Sequence, residues 1–344
     1  MDNLPLTSVI MPVHNEAKFI AESLDSILAQ DYPAECMEIL VVDGASEDET
    51  MDIVTEYSRK DKRIRLLSNP ARVTPAGLNV ALRAARGAII VRIDGHWYSP
   101  PDILKQAARL FRKYDLDCLG GRIVREVGTD TGCAIEFARN SLLGGGLSIR
   151  NNPSIKEHVT QGPNIAHIWR KAVFDKVGLF DERFVKNQDN EFNLRAIKAG
   201  SKTLYSPCIL YHQHVPDSFR KLFHQIFAYA SYAPMLNLKH KSFINIHLAG
   251  PAGILLVWLV FLIFGIAGFI SITVPLVLLG VYILMISHGA FIAALKTKKF
   301  LWHPGVFAAY IVIHAASSLG YLRGMLRFLN LPLASSLWSY RQRK

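Results

Sequence analysis

Charged residues are scarce, at 19% of the 344 positions, and the scarcity is uneven. From Ser242 to Leu295 there is no Asp, Glu, Lys or Arg in 54 residues. A soluble helical hairpin seldom lacks charge on every face, so a lipid-embedded segment is expected instead. Cysteine is sparse too: Cys36, Cys118, Cys133 and Cys208 show no C-x-x-C spacing. That argues against a zinc site and a disulfide framework and leaves buried, reduced thiols as the expectation. The opening MDNLPLTSVIMPVHNE has no basic stretch followed by an apolar run, so no cleaved signal peptide is expected. With 50% hydrophobic residues, disordered and collagen-like classes are excluded. The length corresponds to about two domains at ~150 residues each.

The formal net charge is +11, and its placement decides its meaning. Between Asp217 and Lys241 four basic residues face one acid, and from Lys296 to Lys344 there are eight basic residues and no acid. Residues 1 to 216 therefore carry no net charge. Basic excess that flanks an apolar region suits anionic headgroups and the positive-inside rule. A nucleic-acid partner would need a basic face on the folded domain, and none is expected.

The uncharged stretch would measure roughly 80 Å as one helix, against a hydrocarbon core of ~30 Å, so it must fold back. Pro275 is the expected break, with spans near Ala249 to Ile270 and Leu276 to Leu295. Phe300 to Leu322 is a third stretch long enough to span. Lys239, Lys241, Lys296, Lys298 and Lys299 predict that both ends of the first hairpin, and the domain before it, are cytoplasmic. A full third span would carry Arg341, Arg343 and Lys344 outside, so whether it crosses or re-enters stays open.

Before this region, short β-branched runs alternate with helical patterns. Strands are predicted at Thr7 to Val13, Glu38 to Asp43, Ile64 to Ser68 and Ala88 to Asp94. Helices are predicted at Ala17 to Gln30, Asp48 to Lys60, Pro75 to Ala85 and Pro100 to Tyr114. Such alternation implies right-handed crossovers, an α/β class and a mainly parallel sheet covered on both faces. Ligands in such sheets bind at the carboxyl ends of strands. There the polar residues fall: Pro12-Val13-His14-Asn15-Glu16, Asp43-Gly44-Ala45-Ser46 and Asp94-Gly95-His96. No G-x-G-x-x-G follows the first strand, which disfavours a dinucleotide site.

The blocks SVIMPVHNE, ILVVDGASEDET, NPARVTPAGLNVALRAARGAIIVRIDGH and GLFDERFVKNQDNEFNLRAIKAG, followed by LYSP, occur in this order. Together they resemble the inverting family 2 glycosyltransferases of GT-A fold, and within them the membrane-attached enzymes of succinoglycan-type exopolysaccharide synthesis. The resemblance covers about residues 7 to 235 and the hydrophobic tail. It implies a catalytic domain over residues 1–215, an amphipathic interfacial helix or linker over 216–241 and a membrane region over 242–344.

By this resemblance Pro12, Glu16, Asp43 and Asp94 line the nucleotide-sugar pocket, Asp43 holding base or ribose; capping of the next helix by Ser46 or Asp48 is the plain alternative for that turn. Asp94 and His96 share a face at i and i+2 and would hold a divalent ion, Mn2+ or Mg2+. Asp-Gly-His departs from the commoner Asp-x-Asp, and a hydrogen-bonded loop histidine is its simpler reading. Asp189 would be the base that takes the proton of the acceptor hydroxyl. A first-turn acid favoured by the helix dipole is the alternative, and Gln188 stands where the family usually has Glu.

His212 and His214 share a face, and one of them could complete a metal shell or touch a phosphate. Arg220, Gln225 and His214 are candidates for the acceptor or lipid side. Gln225 begins no Gln-x-x-Arg-Trp, which points away from processive synthesis. Gly144-Gly145-Gly146 with Asn151-Asn152-Pro153 reads as a loop able to close over substrate, or as a linker.

The function implied is transfer of a hexose, glucose from UDP-glucose, to a polyprenyl-diphosphate-linked saccharide at the bacterial inner membrane. A polyprenyl-phosphate glycosyltransferase and a non-catalytic nucleotide-binding subunit are the competing readings.

Overall fold

The computed structural model describes residues 4–146, 152, 154–241, 246–297 and 303–328. Lys298, Lys299, Arg341, Arg343, Lys344, Asn151 and Pro153, which carried parts of the charge and loop arguments, lie outside the described residues. By internal contact the chain forms two units. One comprises Met1–Glu126 and Ile149–His214; the other comprises Val127–Ser148 and Val215–Lys344.

The first unit begins β1 (Thr7–Val13), α1 (Ile20–Leu28), β2 (Met37–Asp43), α2 (Thr50–Lys60), β3 (Ile64–Ser68), α3 (Thr74–Ala84) and β4 (Ile89–Arg92). It continues through β5 (Trp97–Tyr98), α4 (Ile103–Tyr114) and β6 (Cys118–Glu126). Helix α5 (Asp130–Asn140) lies in the second unit. The chain then returns for β7 (His158–Thr160), β8 (Ala166–Arg170), α6 (Lys171–Val177), α7 (Gln188–Lys198) and β9 (Thr203–His214).

Among the described residues nine strands join one sheet in the order β3-β2-β1-β4-β8-β6-β9-β5, with β7 on β9. The pairs β1–β2, β1–β4 and β2–β3 are parallel, as the alternation predicts, and β6–β9 is parallel as well. Strand β8 runs antiparallel to both β4 and β6, so the sheet is mixed. Because successive side chains leave opposite faces, each strand feeds two cores. Val9, Met11, Ile39 and Val41 pack with Ile20 and Leu24 of α1 and Leu110 of α4. Ile10, Leu40 and Ile90 pack with Leu78 of α3, Phe174 of α6 and Phe192 of α7. All four cysteines are free thiols, but only Cys118 is buried; Cys36, Cys133 and Cys208 are half-buried.

The second unit contains α5 with α8 (Phe219–His240), α9 (Ile246–Ile266), α10 (Thr273–Thr297) and α11 (His303–Phe328). Three segments, His247–Ile266, Thr273–Lys296 and His303–Arg327, are long and apolar enough to cross a membrane. The break differs from the expected one. Gly268 at φ 79° ends the turn after α9, and Pro275 sits in the first turn of α10. Glycine accepts the left-handed conformation after a helix, and proline costs little where amide hydrogens have no intrahelical partner.

Helix α8 meets α11 backbone to backbone. A Cβ on Gly320 would lie 2.5 Å from the Phe227 carbonyl oxygen, and one on Gly324 2.5 Å from that of Ser231. This is the close approach that G-x-x-x-G spacing allows between apolar helices. Leu222, Ala230, Ala233 and Leu236 of α8 are buried. The Gly144-Gly145-Gly146 segment is a tight turn on the end of α5: a Cβ on Gly144 would fall 1.9 Å from the Ala138 carbonyl oxygen.

Candidate active site

Strand β1 lies between β2 and β4, with all three parallel, so their carboxyl ends share one edge. Val13 is in register with Asp43, and Pro12 with Val42. After Val13 the chain turns through Asn15 at φ 56°, and after Gly44 through Ala45 at φ 56°. Both left-handed residues hold loops that are tied together. The Asp43 carboxylate accepts from the Ser46 hydroxyl at 2.6 Å and from the Ser46 amide at 3.1 Å. Ser46 Oγ in turn accepts from the Asn15 amide at 2.9 Å, and Asn15 Oδ1 from the Glu47 amide at 2.8 Å. Ser46 therefore serves the Asp43 turn. Asp48, one residue before the N-cap Glu49, binds the first residue of α2: its carboxylate accepts from the Thr50 amide at 3.1 Å and the Thr50 hydroxyl at 2.5 Å.

Glu16 carries this network across to β4. Its amide donates to Thr50 Oγ1 at 2.8 Å, and its Oε1 accepts from His96 Nδ1 at 2.8 Å. The intervening Gly95 permits the contact: a Cβ there would stand 2.9 Å from Glu16 Cγ and 3.0 Å from Val13 Cγ1. Asp94 is held by Arg92, Nε to Oδ1 and Nη2 to Oδ2, each at 2.8 Å. Burial opposes ionisation of Asp94, but the Arg92 guanidinium, His96 and Lys186 outweigh it and hold the carboxyl below its usual range. Burial likewise opposes a charged His96, yet the hydrogen bond and charge of Glu16, with Asp94, raise its pKa above the ordinary imidazole value.

Asp189 lies half-buried in the first turn of α7. That helix is pinned to β8, the strand next to β4. Trp169 Nε1 donates to Asn193 Oδ1 at 2.9 Å, and Asn193 Nδ2 donates to the carbonyls of Pro163 at 2.7 Å and Ala166 at 3.1 Å. Because β8 runs against β4, its Ala166 end lies at the carboxyl edge of β4. Lys186, three residues before Asp189, acts electrostatically on Asp94. The structure thus brings Pro12, Glu16, Asp43, Asp94 and His96, and the segment leading to Asp189, to one edge.

The paired histidines lie on β9 beside β5, where Tyr98 is in register with His212. The His214 amide donates to the His96 carbonyl at 3.1 Å. Both rings are committed to carboxylates: His212 Nδ1 to Glu126 at 2.7 Å and His214 Nε2 to Glu22 at 2.7 Å. His214 also stacks on Phe19 with ring centroids 4.3 Å apart. Arg220 and Gln225 belong to the second unit, where Gln225 Oε1 accepts from Arg139 of α5 at 2.8 Å. Sequence reasoning passed over Arg92 and Lys186. Arg92 was legible as the residue two before Asp94 on the same strand face, whereas nothing local marks Lys186.

The donor chemistry suits a divalent cation. Asp94 is kept ionised, and a histidine whose Nδ1–H is taken by a carboxylate presents Nε2 as a ligand, oriented as metal-bound histidines usually are. Among the described residues no three His, Cys, Asp or Glu side chains converge as a metal-holding group.

Residues 8–177 match the family model for glycosyl transferase family 2. The chain is 27% identical over 329 residues to the dolichyl N-acetyl-alpha-D-glucosaminyl phosphate 3-beta-D-2,3-diacetamido-2,3-dideoxy-beta-D-glucuronosyltransferase of Methanococcus voltae, across 93% of this chain and 97% of that one. It is 26% identical over 333 residues to the succinoglycan biosynthesis protein ExoA of Rhizobium meliloti (strain 1021), across 95% and 98% of the two chains. Among solved structures, the mannosyltransferase PcManGT of Pyrobaculum calidifontis, in complex with GDP-Man and Mn2+, superposes with a TM-score of 0.56 at 19% identity, covering 95% of this chain and 88% of that chain. Residues 1–349 of TarS from S. aureus, in complex with UDP-GlcNAc, superpose with a TM-score of 0.50 at 17% identity, covering 92% of each. At these identities the superpositions speak for the fold alone. The chain therefore carries a glycosyl transferase family 2 domain over residues 8–177, built on a GT-A-like α/β fold.

Proposed function

We propose that the chain moves a hexose, glucose from UDP-glucose, onto a polyprenyl-diphosphate-linked saccharide, with inversion and one sugar per encounter. The observation that carries this reading is the shared edge: Asp43 and Asp94 flank β1, the Glu16 loop bridges them, and Lys186 brings the Asp189 segment to Asp94. The relative from Methanococcus voltae, whose name gives a lipid-phosphate-linked sugar as acceptor, supports a hydroxyl nucleophile. The relation to ExoA supports exopolysaccharide-type synthesis.

In this reading Asp43 accepts hydrogen bonds from the uracil or ribose; its turn is held by donation from the Ser46 amide and hydroxyl, which supports a fixed carboxylate there. Asp189 takes the proton from the acceptor hydroxyl as it attacks the anomeric carbon opposite the leaving diphosphate. Arg92 and Lys186 place positive charge beside Asp94, where charge on the departing group develops. Asp94 and His96 would hold Mn2+ or Mg2+, which when bound supplies electrostatic stabilisation of the leaving diphosphate. Lys239, Lys241 and Lys296 support a cytoplasmic catalytic part, residues 1–215, on an inner-membrane anchor.

The test is Asp189→Asn in the full chain, with radiolabelled UDP-sugars and membrane lipid extracts as acceptors. Label in extracted lipid is expected from the unaltered protein and at least a hundredfold less from the variant, with UDP affinity unchanged. Equal loss of transfer and UDP affinity would remove Asp189 from its role. Undiminished transfer would point to an acceptor that is already an anion, the lipid phosphate itself.

A further inference from the structure

The second unit holds a cleft of about 870 Å3 between α5, the Ser141–Gly146 turn, α10 and α11. Its walls are apolar, with Phe137, Leu143, Met285 and Ile292 among them, and Lys296 lines it in the last turn of α10. Met285 and Lys296 are eleven residues apart on one helix, a run of roughly 16 Å at ~1.5 Å per residue. Met285 and Ile292 lie inside a segment long and apolar enough to cross a membrane, and once inserted the cleft would be surrounded by acyl or isoprenoid chains.

One wall is unusual for that depth. Ser141 to Gly146 is a turn, not a helix, and non-helical backbone within the apolar layer is tolerated where protein covers it or it lines a cavity. Here both hold. The Tyr310 hydroxyl donates to Ser141 Oγ at 2.9 Å, and His314 Nε2 donates to the Leu143 carbonyl at 2.8 Å. The other nitrogen of His314 meets the Tyr282 hydroxyl of α10 at 3.0 Å, so one histidine ties the turn to both helices. A Cβ on Gly289 would come within 2.9 Å of Leu143 Cδ1, so this glycine lets α10 close against the turn. Polar groups spent in this way at membrane depth mark a wall built for a purpose. Glu136 and Lys296 both line the cleft; Glu136 accepts from Asn140 at 2.6 Å, and among the described lining residues Lys296 carries the ammonium that an anionic head would meet.

We infer that this cleft takes the isoprenoid chain of a polyprenyl phosphate or diphosphate, with Lys296 beside its first phosphate. The inference rests on the proposed acceptor class, and it adds a location and a fixed wall. A phospholipid presents two chains and a head of different shape, and it competes for the same apolar walls only if the site reads nothing but apolarity.

The test uses the full chain in phosphatidylcholine nanodiscs and a photoreactive undecaprenyl phosphate. Crosslinks are expected to map to α10 between Met285 and Ile292 and to residues 137–143. A tenfold excess of undecaprenyl phosphate should abolish them, and the same excess of phosphatidylglycerol should not. Ile292→Trp, which fills the cleft, should lower labelling at least fivefold, and Lys296→Gln about threefold, with UDP binding unchanged as the check on folding. Labelling elsewhere, equal competition by phosphatidylglycerol, or full labelling of both variants would overturn the site. The crosslink does not depend on turnover, so failure to transfer any sugar would count against the proposed function while leaving this result standing.

Discussion

Arg92 grips Asp94 with a two-point fork, both contacts at 2.8 Å, and both side chains are largely out of water. The pairing joins residues of one strand end, so it forms before any ligand arrives. It holds the Asp94 carboxyl below its usual range although burial pushes the other way. Such geometry needs the planar guanidinium and is not met by an ammonium.

Arg92→Lys is therefore expected to lower kcat/KM for the donor at least tenfold, because Asp94 loses its second anchor and its orientation. Arg92→Met should in addition destabilise the first unit by roughly 3–5 kcal/mol, the cost of leaving a buried charge uncompensated. Donor titrations and thermal unfolding in detergent would check both. Wild-type kinetics in Arg92→Lys would show that the fork plays no part in positioning.

Gly95→Ala should separate Glu16 from His96, because the new methyl would lie 2.9 Å from Glu16 Cγ and 3.0 Å from Val13. A loss of donor affinity of about tenfold is expected, worth ~1.4 kcal/mol. Isothermal titration with UDP would measure it. Glu16→Gln, which keeps the volume, should lose less than Gly95→Ala.

Glu38 is 2% exposed and accepts from Ser8 Oγ at 2.6 Å, from the Arg86 amide at 2.6 Å and from Arg86 Nε at 3.0 Å. Burial opposes its charge, but these donors win and its pKa lies below the ordinary value. Its contribution to stability is thus fully present above the unfolded-state pKa of about 4.3 and disappears as pH falls through the lower folded value. Melting temperature should decline over that acidic range in the wild type and decline less in Glu38→Gln. The variant should be destabilised by roughly 1–3 kcal/mol at neutral pH. An identical pH profile in both proteins would remove Glu38 from the account.

Gly324→Leu should force α11 away from α8, since even a Cβ would lie 2.5 Å from the Ser231 carbonyl oxygen. Overpacking of this kind costs roughly 1–3 kcal/mol or more. The expected readout is a lower melting temperature and lower yield of monodisperse protein in detergent, with Gly324→Ala intermediate. Unaltered melting in the leucine variant would mean that the helices do not rely on this crossing.

Much of the first unit was legible because its signals are local. Thr7–Val13 and Ile64–Ser68 fall where β-branched runs put them, and the other early elements fall within a few residues. Strand β8 was not legible. Ala166–Arg170 is five residues long, and its place between β4 and β6 follows from pairing partners far along the chain. The fold-back between the first two apolar spans is where the sequence put it to within a few residues; its exact point is Gly268, and Pro275 falls in the first turn of the next helix.

The apolar stretch without charge, the acids at strand ends and the order of the motif blocks are properties of the chain itself, because hydropathy, strand period and residue spacing act over a few neighbours. Tertiary structure alone decided that Lys186 acts on Asp94, that Glu16 holds His96, and that Ser141–Gly146 lines a cleft among apolar helices. Charge and packing act through space and fall off over ångströms, so residues eighty or more positions apart have no measurable relation until the sheet and the helix pairs bring them into reach.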